Sequence, residues 1–452
     1  MYLKRSISFL FFVLAIMLVQ SPSFVSAQTA TPTPTNITTL GRFLDQTNGM
    51  TADDAVRIAL ENNGELIALR KERDAARALV KQAGLRPNPS VEVSRQEQIG
   101  GADNNTIIGG SLPLELGGRR SARIAVAERE LAVREKSVED RERLLASEVR
   151  MKFGEALAAT LKQKFAEDVL ETALEQFRLV QARVTEGKTA PLEENMTLVE
   201  VNRLRSIRET QAGNTEIAFL ELRNLLGMKP EQPLRLRGDF DNLVAPLAIL
   251  AAATANALQA RPDLATLRSM ENLADAQIEQ AKAGGRIDAS INAGYGRNNF
   301  GFPVNGITDT GQLRPVQGIF HSLKFGVTLE IPVRNRNQGN IAAAAEMREA
   351  ARNRREFGEL IVRREVATAF ARYESSAKAM EIFRVGVRGQ ASANLDVVRQ
   401  TYELGSRNLI EYLIEARRYI EIENEFIDMQ LAVYQAIVEM LRATNSPELI
   451  KK

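Results

Sequence analysis

Apolar side chains between residues 366 and 398 fall at alternating steps of four and three. Val366, Tyr373, Met380 and Val387 recur every seven residues; Phe370, Ala377, Ala391 and Val398 form the second seam, with Arg384 as the exception. That spacing predicts helices packed as a coiled coil. The stretch that carries it, 340–404, has no proline and three glycines, and its counterpart 119–186 has no proline and one glycine, Gly154. At ~1.5 Å per residue each would extend roughly 100 Å, too far for a compact globule.

Elsewhere the period changes to two. Leu323, Phe325, Val327, Leu329, Ile331 and Val333 alternate with Lys324, Thr328 and Glu330, and Ile287, Ala289, Ile291, Ala293 and Tyr295 share one face. Ile108, Leu112, Leu114 and Leu116 do the same, and Val91 and Val93 mark a weaker case. These patterns predict four strands, about 89–98, 105–116, 287–298 and 320–333. Each is ~10 residues long with one apolar face, the length needed to cross an outer membrane at a tilt.

The chain repeats itself. EVRMKFGEA at 148–156 aligns with EVATAFARY at 365–373, pairing Glu148 with Glu365, Val149 with Val366 and Phe153 with Phe370. The same shift of 217 pairs Arg119 with Arg336, and Gly187 meets Gly405 after one inserted residue. Two tandem units are expected, 49–235 and 236–445, each ordered helix, β-hairpin, very long helix, glycine-marked turn, helix. Residues 28–48, rich in Thr and Pro, read as an extended leader, and 446–452 as a C-terminal tail.

At the N-terminus, Lys4 and Arg5, an apolar run from Ile7 to Val19 and the small residues of VSA at 25–27 form a signal-peptide pattern with cleavage near Ala27. The chain has no cysteine, so no cysteine-linked lipid anchor, disulfide or thiolate metal site is expected. With 59 basic and 57 acidic residues, it also lacks the charge of a nucleic-acid binder. Its single histidine, His321, supports no dyad, triad or His-paired metal site, so neither an enzyme nor a cofactor is expected. No later segment has ~18 consecutive apolar residues, so membrane entry as a helix is not expected.

Four strands cannot close a barrel alone, and open edges in lipid would strand backbone groups at several kcal/mol each. Two copies supply eight strands and three supply twelve; twelve leave more room for a lumen. The duplicated unit resembles the TolC-type outer-membrane efflux proteins over essentially the whole mature chain. The matching stretches are TADDAVRIALENNGELIALR, ALQARPDLATLR, LELGGRRSARI, IPVRNRNQGNI and YELGSRNLIEYL. LELGGRRSARI and IPVRNRNQGNI are most similar to the heavy-metal branch.

The resemblance implies a mainly α fold with a small transmembrane β part. It further implies a homotrimer whose 12-stranded barrel continues as an α-helical periplasmic tunnel. The partners it implies are a periplasmic adaptor of the membrane fusion protein class, an inner-membrane resistance-nodulation-division pump and outer-membrane lipid. It also places the periplasmic gate on Tyr402, Arg407 and Glu411, while the family's second acidic position falls on Ile414. In the first repeat Glu193 follows Gly187 at the separation by which Glu411 follows Gly405. Both glutamates fit either a cation-attracting ring or ordinary helix-start acids favoured by the macrodipole. Gly187, Lys188, Gly405 and Ser406 would form the adaptor-docking turns.

The Gly-Gly-Arg stretch at 117–119 matches no phosphate-binding loop, and its counterpart lacks both glycines. Gly117, Gly118, Arg119 and Arg336 therefore read as strand-to-helix junctions. A periplasmic coiled-coil adaptor or scaffold without a pore is the rival reading; it leaves the four alternating segments unexplained.

Overall fold

A computed structural model describes residues 39–240 and 249–450. The expected signal peptide, leader residues 28–38 and the segment 241–248 lie outside the described residues. Before the first hairpin come helices α1 (Thr39–Phe43), α2 (Ala52–Asn62) and α3 (Gly64–Ala83), then strands β1 (Ser90–Glu97) and β2 (Asn104–Pro113). Helix α4 (Arg119–Thr185) has 67 residues, about 100 Å, and α5 (Pro191–Leu225) returns from its far end. The second repeat runs α6 (Leu250–Ala260), α7 (Pro262–Gly284), β3 (Asp288–Ile307), β4 (Leu313–Glu330), α8 (Gln338–Ile382), α9 (Gly389–Glu403) and α10 (Leu409–Thr444).

Local chemistry sets the helix starts. Thr51 and Asp54 form a reciprocal capping box ahead of α2, and the Asn63 side chain accepts from the Leu66 amide to start α3. Pro191 and Pro262 occupy the first turns of α5 and α7, where a missing N–H costs nothing. The duplication extends to single bonds. Arg70 donates to the Leu60 carbonyl at 2.8 Å, and its repeat partner Arg268 donates to the Leu258 carbonyl at 2.8 Å.

The four strands form one antiparallel sheet in the order β1-β2-β3-β4. Its register aligns Val93, Ile108, Tyr295 and Leu323 across all four strands, and Glu92, Gly109, Gly294 and Lys324 on the opposite face. The apolar face is bare along β4: Leu323 is 72% and Phe325 82% exposed. An apolar face of this kind calls for a non-aqueous neighbour.

Several expected boundaries need correction. β3 and β4 have 20 and 18 residues, far longer than 287–298 and 320–333. A register slip between Gly301 and Asn305 breaks the period of two while the backbone pairing continues to Ile307 and Leu313. β4 ends at Glu330 because Pro332 has no N–H to donate, and β2 ends at Pro113 rather than 116. The end of the Thr/Pro leader is not extended either. α1 forms there, Phe43 and Leu44 are buried, and Leu44 bridges to Leu236. The tail is also built in: residues 447–450 form a 3-10 turn with Leu449 buried, and the Arg150 guanidinium donates to the carbonyls of Glu448 and Leu449.

Three hydrophobic clusters lie among the described residues, the third being Leu170 of α4 with Val201 and Leu204 of α5. In the first, Leu145, Val149, Phe153 and Leu157 form a four-residue ridge on α4. In the second, Val362, Val366, Ala369 and Tyr373 of α8 pack with Val433, Ala436 and Met440 of α10. A buried arginine joins the repeats: Arg143 donates to Asp140 and the Arg442 carbonyl and lies 3.7 Å from Asp263, while Arg261, 2% exposed, pairs within the second repeat with Asp263 and Glu365.

The second long helix is not continuous α-helix. Phe383–Arg388 is a π-helical segment between α8 and α9. The repeat offset is 217 at Phe153/Phe370 and 218 at Gly187/Gly405, so the second repeat holds one more residue between these points. A π segment is how a helix absorbs one inserted residue without rotating the turns beyond it. Phe383 takes the buried seam in place of Arg384, which turns outward and pairs with Glu381.

Candidate pore mouth and sheet-to-helix junction

The two glycine turns are built alike. Gly187 has φ +70° and Gly405 φ +76°, and each lies just past the end of a long helix. Lys188 N–H donates to the Arg183 carbonyl at 2.8 Å, and Ser406 N–H to the Thr401 carbonyl at 2.9 Å. The left-handed residue and the six-to-one bond make both turns Schellman ends, satisfying carbonyls that the helix leaves free.

The expected gate residues flank these turns: Tyr402 lies in the last turn of α9, Glu411 in the first turn of α10 and Glu193 in the first turn of α5. The Asn408 side chain accepts from the Glu411 amide to start α10, and Arg407 pairs with the Glu411 carboxylate at 2.9 Å. That pair is about half exposed on both sides and is worth only ~0–1 kcal/mol. Tyr402 stacks on Tyr412 with ring centroids 5.7 Å apart and planes at 8°. Burial pushes the Tyr402 hydroxyl up, and the nearby Glu193 carboxylate pushes it further the same way. Glu193, in the first turn of α5, has no cation within salt-bridge range among the described residues. Ile414 is exposed and Glu415 half-buried, so the departure from the family's second acidic position leaves an apolar side chain there.

Above the mouth, a polar tie joins the two helical hairpins. Glu200 of α5 is buried, and its carboxylate accepts from Arg203 at 2.8 Å and from Arg417 of α10 at 2.5 Å. Burial pushes this carboxyl up, but the two guanidiniums outweigh it and hold the group below its ordinary value. In parallel, Glu423 is buried on α10 and accepts from Arg388, whose guanidinium lies 4.5 Å from the Phe426 ring. No spacing signal pointed to Glu200 or Glu423. A glutamate among apolar seam positions was the available clue.

At the other end, Glu115 has φ +51°, Gly117 +70° and Gly118 +82°, turning β2 into α4. Arg119 reaches across the sheet to Asp288 at 3.2 Å and donates to the Arg286 carbonyl. Arg123 pairs with Glu115 and donates to the carbonyls of Ala83 and Leu85. The equivalence of Arg119 and Arg336 does not hold here. The left-handed residue that starts α8 is Asn337, φ +62°, matching Gly118 two residues out of the sequence pairing, and the Arg336 side chain is exposed. Asparagine tolerates that conformation, so the second junction needs no glycine. His321 lies within β4, where Nδ1 is 2.5 Å from the Tyr295 hydroxyl.

The family model of outer membrane efflux proteins matches residues 55–228 and again 253–446, one match per repeat. The chain belongs to the outer membrane efflux protein family. The cobalt-zinc-cadmium resistance protein CzcC of Cupriavidus metallidurans is 24% identical over 418 residues, covering 92% of this chain and 94% of that protein. The nickel-cobalt-cadmium resistance protein NccC of Alcaligenes xylosoxydans xylosoxydans is 27% identical over 250 residues, 54% of this chain and 50% of that protein. A crystal structure of CusC superposes with a TM-score of 0.70 at 19% identity, covering 87% of this chain and 91% of that one; such a likeness shows the fold.

The efflux protein is thus an outer-membrane channel. Its relatives are efflux proteins rather than enzymes.

Proposed function

We propose that three copies of this efflux protein join their sheets into a 12-stranded barrel continued by an α-helical tunnel, a passive duct across the outer membrane and periplasm. One observation carries the reading. A four-stranded sheet, apolar on one face and open at both β1 and β4, stands at the end of helices of about 100 Å. Only other copies can satisfy those edges in lipid, and twelve strands leave a lumen where eight are filled by their own side chains. The N-terminal segment would direct export and be cut near Ala27. The turns at Gly187, Lys188, Gly405 and Ser406 would meet a periplasmic adaptor, behind which an inner-membrane resistance-nodulation-division pump supplies the energy. Exposed Leu192, Leu404 and Ile410 give these tips apolar contact surface.

Similarity to CzcC and NccC, named for cobalt, zinc, cadmium and nickel resistance, supports heavy-metal cations as cargo. At the mouth, Glu193 is the stronger candidate for a cation-attracting ring, because Arg407 already offsets Glu411. Tyr402 and Arg407 would tether the closed state. Arg119 and Arg336 would lie near the periplasmic lipid surface.

Detergent-extracted protein should migrate as a heat-modifiable trimer and conduct in planar bilayers. A water-soluble monomer released by osmotic shock would overturn the channel reading in favour of a scaffold. Glu193→Gln should lower cation selectivity more than Glu411→Gln. A deletion strain that loses drug tolerance but keeps zinc and cobalt tolerance would refute the metal cargo.

A further inference from the structure

A cavity of about 350 Å³ lies inside the protomer between α4, α5, α9 and α10, walled by both helical hairpins just above the two glycine turns. Phe165, Val169, Leu204, Leu413 and Ile420 make most of its wall apolar, and Tyr402 and Tyr412 close its lower side as a stacked pair. The Tyr402 and Tyr412 hydroxyls have no hydrogen-bond partner among the described residues, and burial pushes both up. A ligand acceptor within reach of either would add a neutral hydrogen bond. The carboxylates at the wall are already engaged, Glu200 by Arg203 and Arg417 and Asp168 by Lys164, so the site does not call for a cation. Size narrows the class further, since a dry cavity of ~150 Å³ accepts benzene.

We propose that this cavity binds an uncharged, flat aromatic molecule of two or three rings bearing a hydrogen-bond acceptor, stacked beside Tyr402 and Tyr412 and bracing one helical hairpin against the other. The site lies within one chain, so it does not depend on the trimer or on the cargo. Its occupant would restrain separation of the two turns, because its contacts come from α4 and α5 on one side and from α9 and α10 on the other.

The test uses the full-length protein and 6-bromo-2-naphthol. Crystals soaked with the probe should show a bromine anomalous peak between Tyr412 and Val169, and the melting temperature should rise with probe concentration, as for a ligand specific to the folded state. Ala173→Phe fills the cavity from α4; Tyr402→Phe removes one hydroxyl while keeping the ring. In the first variant the peak and the thermal shift should disappear. In the second, affinity should fall about three- to tenfold, the loss of one neutral hydrogen bond. Unchanged far-UV circular dichroism and an unchanged melting temperature without probe would establish that both variants fold. An unaltered peak in Ala173→Phe, bromine only on the outer face of the sheet, or continuous detergent-tail density in the cavity would each overturn the proposal.

Discussion

Deleting Gly386 should be tolerated, which is unusual for a deletion in the middle of a helix. If Phe383–Arg388 is π-helical because the second repeat holds one extra residue, removing Gly386 converts the segment to regular α-helix and leaves everything below it unrotated. Gly386 has open space around it, and an interior glycine itself costs ~0.5–1 kcal/mol relative to alanine. The net change in stability should therefore stay within about 1 kcal/mol.

The matching deletion in α4, Asp168, has no π segment to absorb it. Every α4 residue below would turn by ~100° and move up by ~1.5 Å. Leu170 and Val180, both buried, would leave their seam. Exposing two such side chains costs roughly 1.5–3 kcal/mol each, about 3–6 kcal/mol together. Thermal unfolding followed by far-UV circular dichroism should separate the two deletions by several degrees, and hydrogen exchange should show α9 as protected as in the parent. If deleting Gly386 destabilises as much as deleting Asp168, the extra residue is not what the π segment accommodates.

Gly405→Ala and Gly187→Ala meet no neighbouring atom, so their cost should be that of the left-handed backbone alone, ~1–2 kcal/mol, with Asn milder than Ala in thermal melts. Glu200→Gln should loosen the contact between α5 and α10, seen as faster hydrogen exchange in the lower half of both. Its carboxyl is held below the ordinary 4.5, so the tie is fully present above that pH and is lost as pH falls through the lower folded value. The acid limb of a stability profile should therefore flatten in Glu200→Gln, and a parallel profile would count against the tie. Arg261→Met should cost ~3–5 kcal/mol because it leaves Glu365 without its buried partner and Asp263 with Arg143 alone; a loss below 1 kcal/mol in denaturant unfolding would refute that role.

Much of the fold was legible because its signals are periodic. α4 begins at Arg119, directly after the Gly117-Gly118 pair, and Val366 and Tyr373 lie buried on the expected seam. The apolar face of β3 and β4 was equally plain up to Tyr295, then failed where the bulge at Gly301 shifted the register. What a pattern cannot carry is a tertiary choice. Phe43 and Leu44 end a Thr/Pro-rich stretch, and only the core around Phe219 tells them to fold. Glu200 reads like any helix-surface glutamate until Arg417, 217 residues away, is placed against it. At the site, the paired glycine turns were readable because left-handed caps demand a residue type. The partnering of Glu411 by Arg407 was not, since i,i+4 spacing allows the pair without requiring it.

The two repeats diverge at places that share one logic. A duplicated unit must keep its helix starts, its seams and its turns, because each fixes where the next element begins. It need not keep the residues that supply them. Asn337 replaces Gly118 at the start of a long helix, and Arg261 takes the place of the Asn63 cap while trading local capping for a bridge to Glu365. One extra residue became a π segment rather than a rotated helix. The hairpin at 288–330 lengthened at its outer end, where β3 beyond Asn299 pairs only with β4 and growth disturbs no neighbour. The geometry inherited by both halves is therefore better conserved within this chain than the side chains that produce it. A search for equivalent function between the halves should compare backbone positions first.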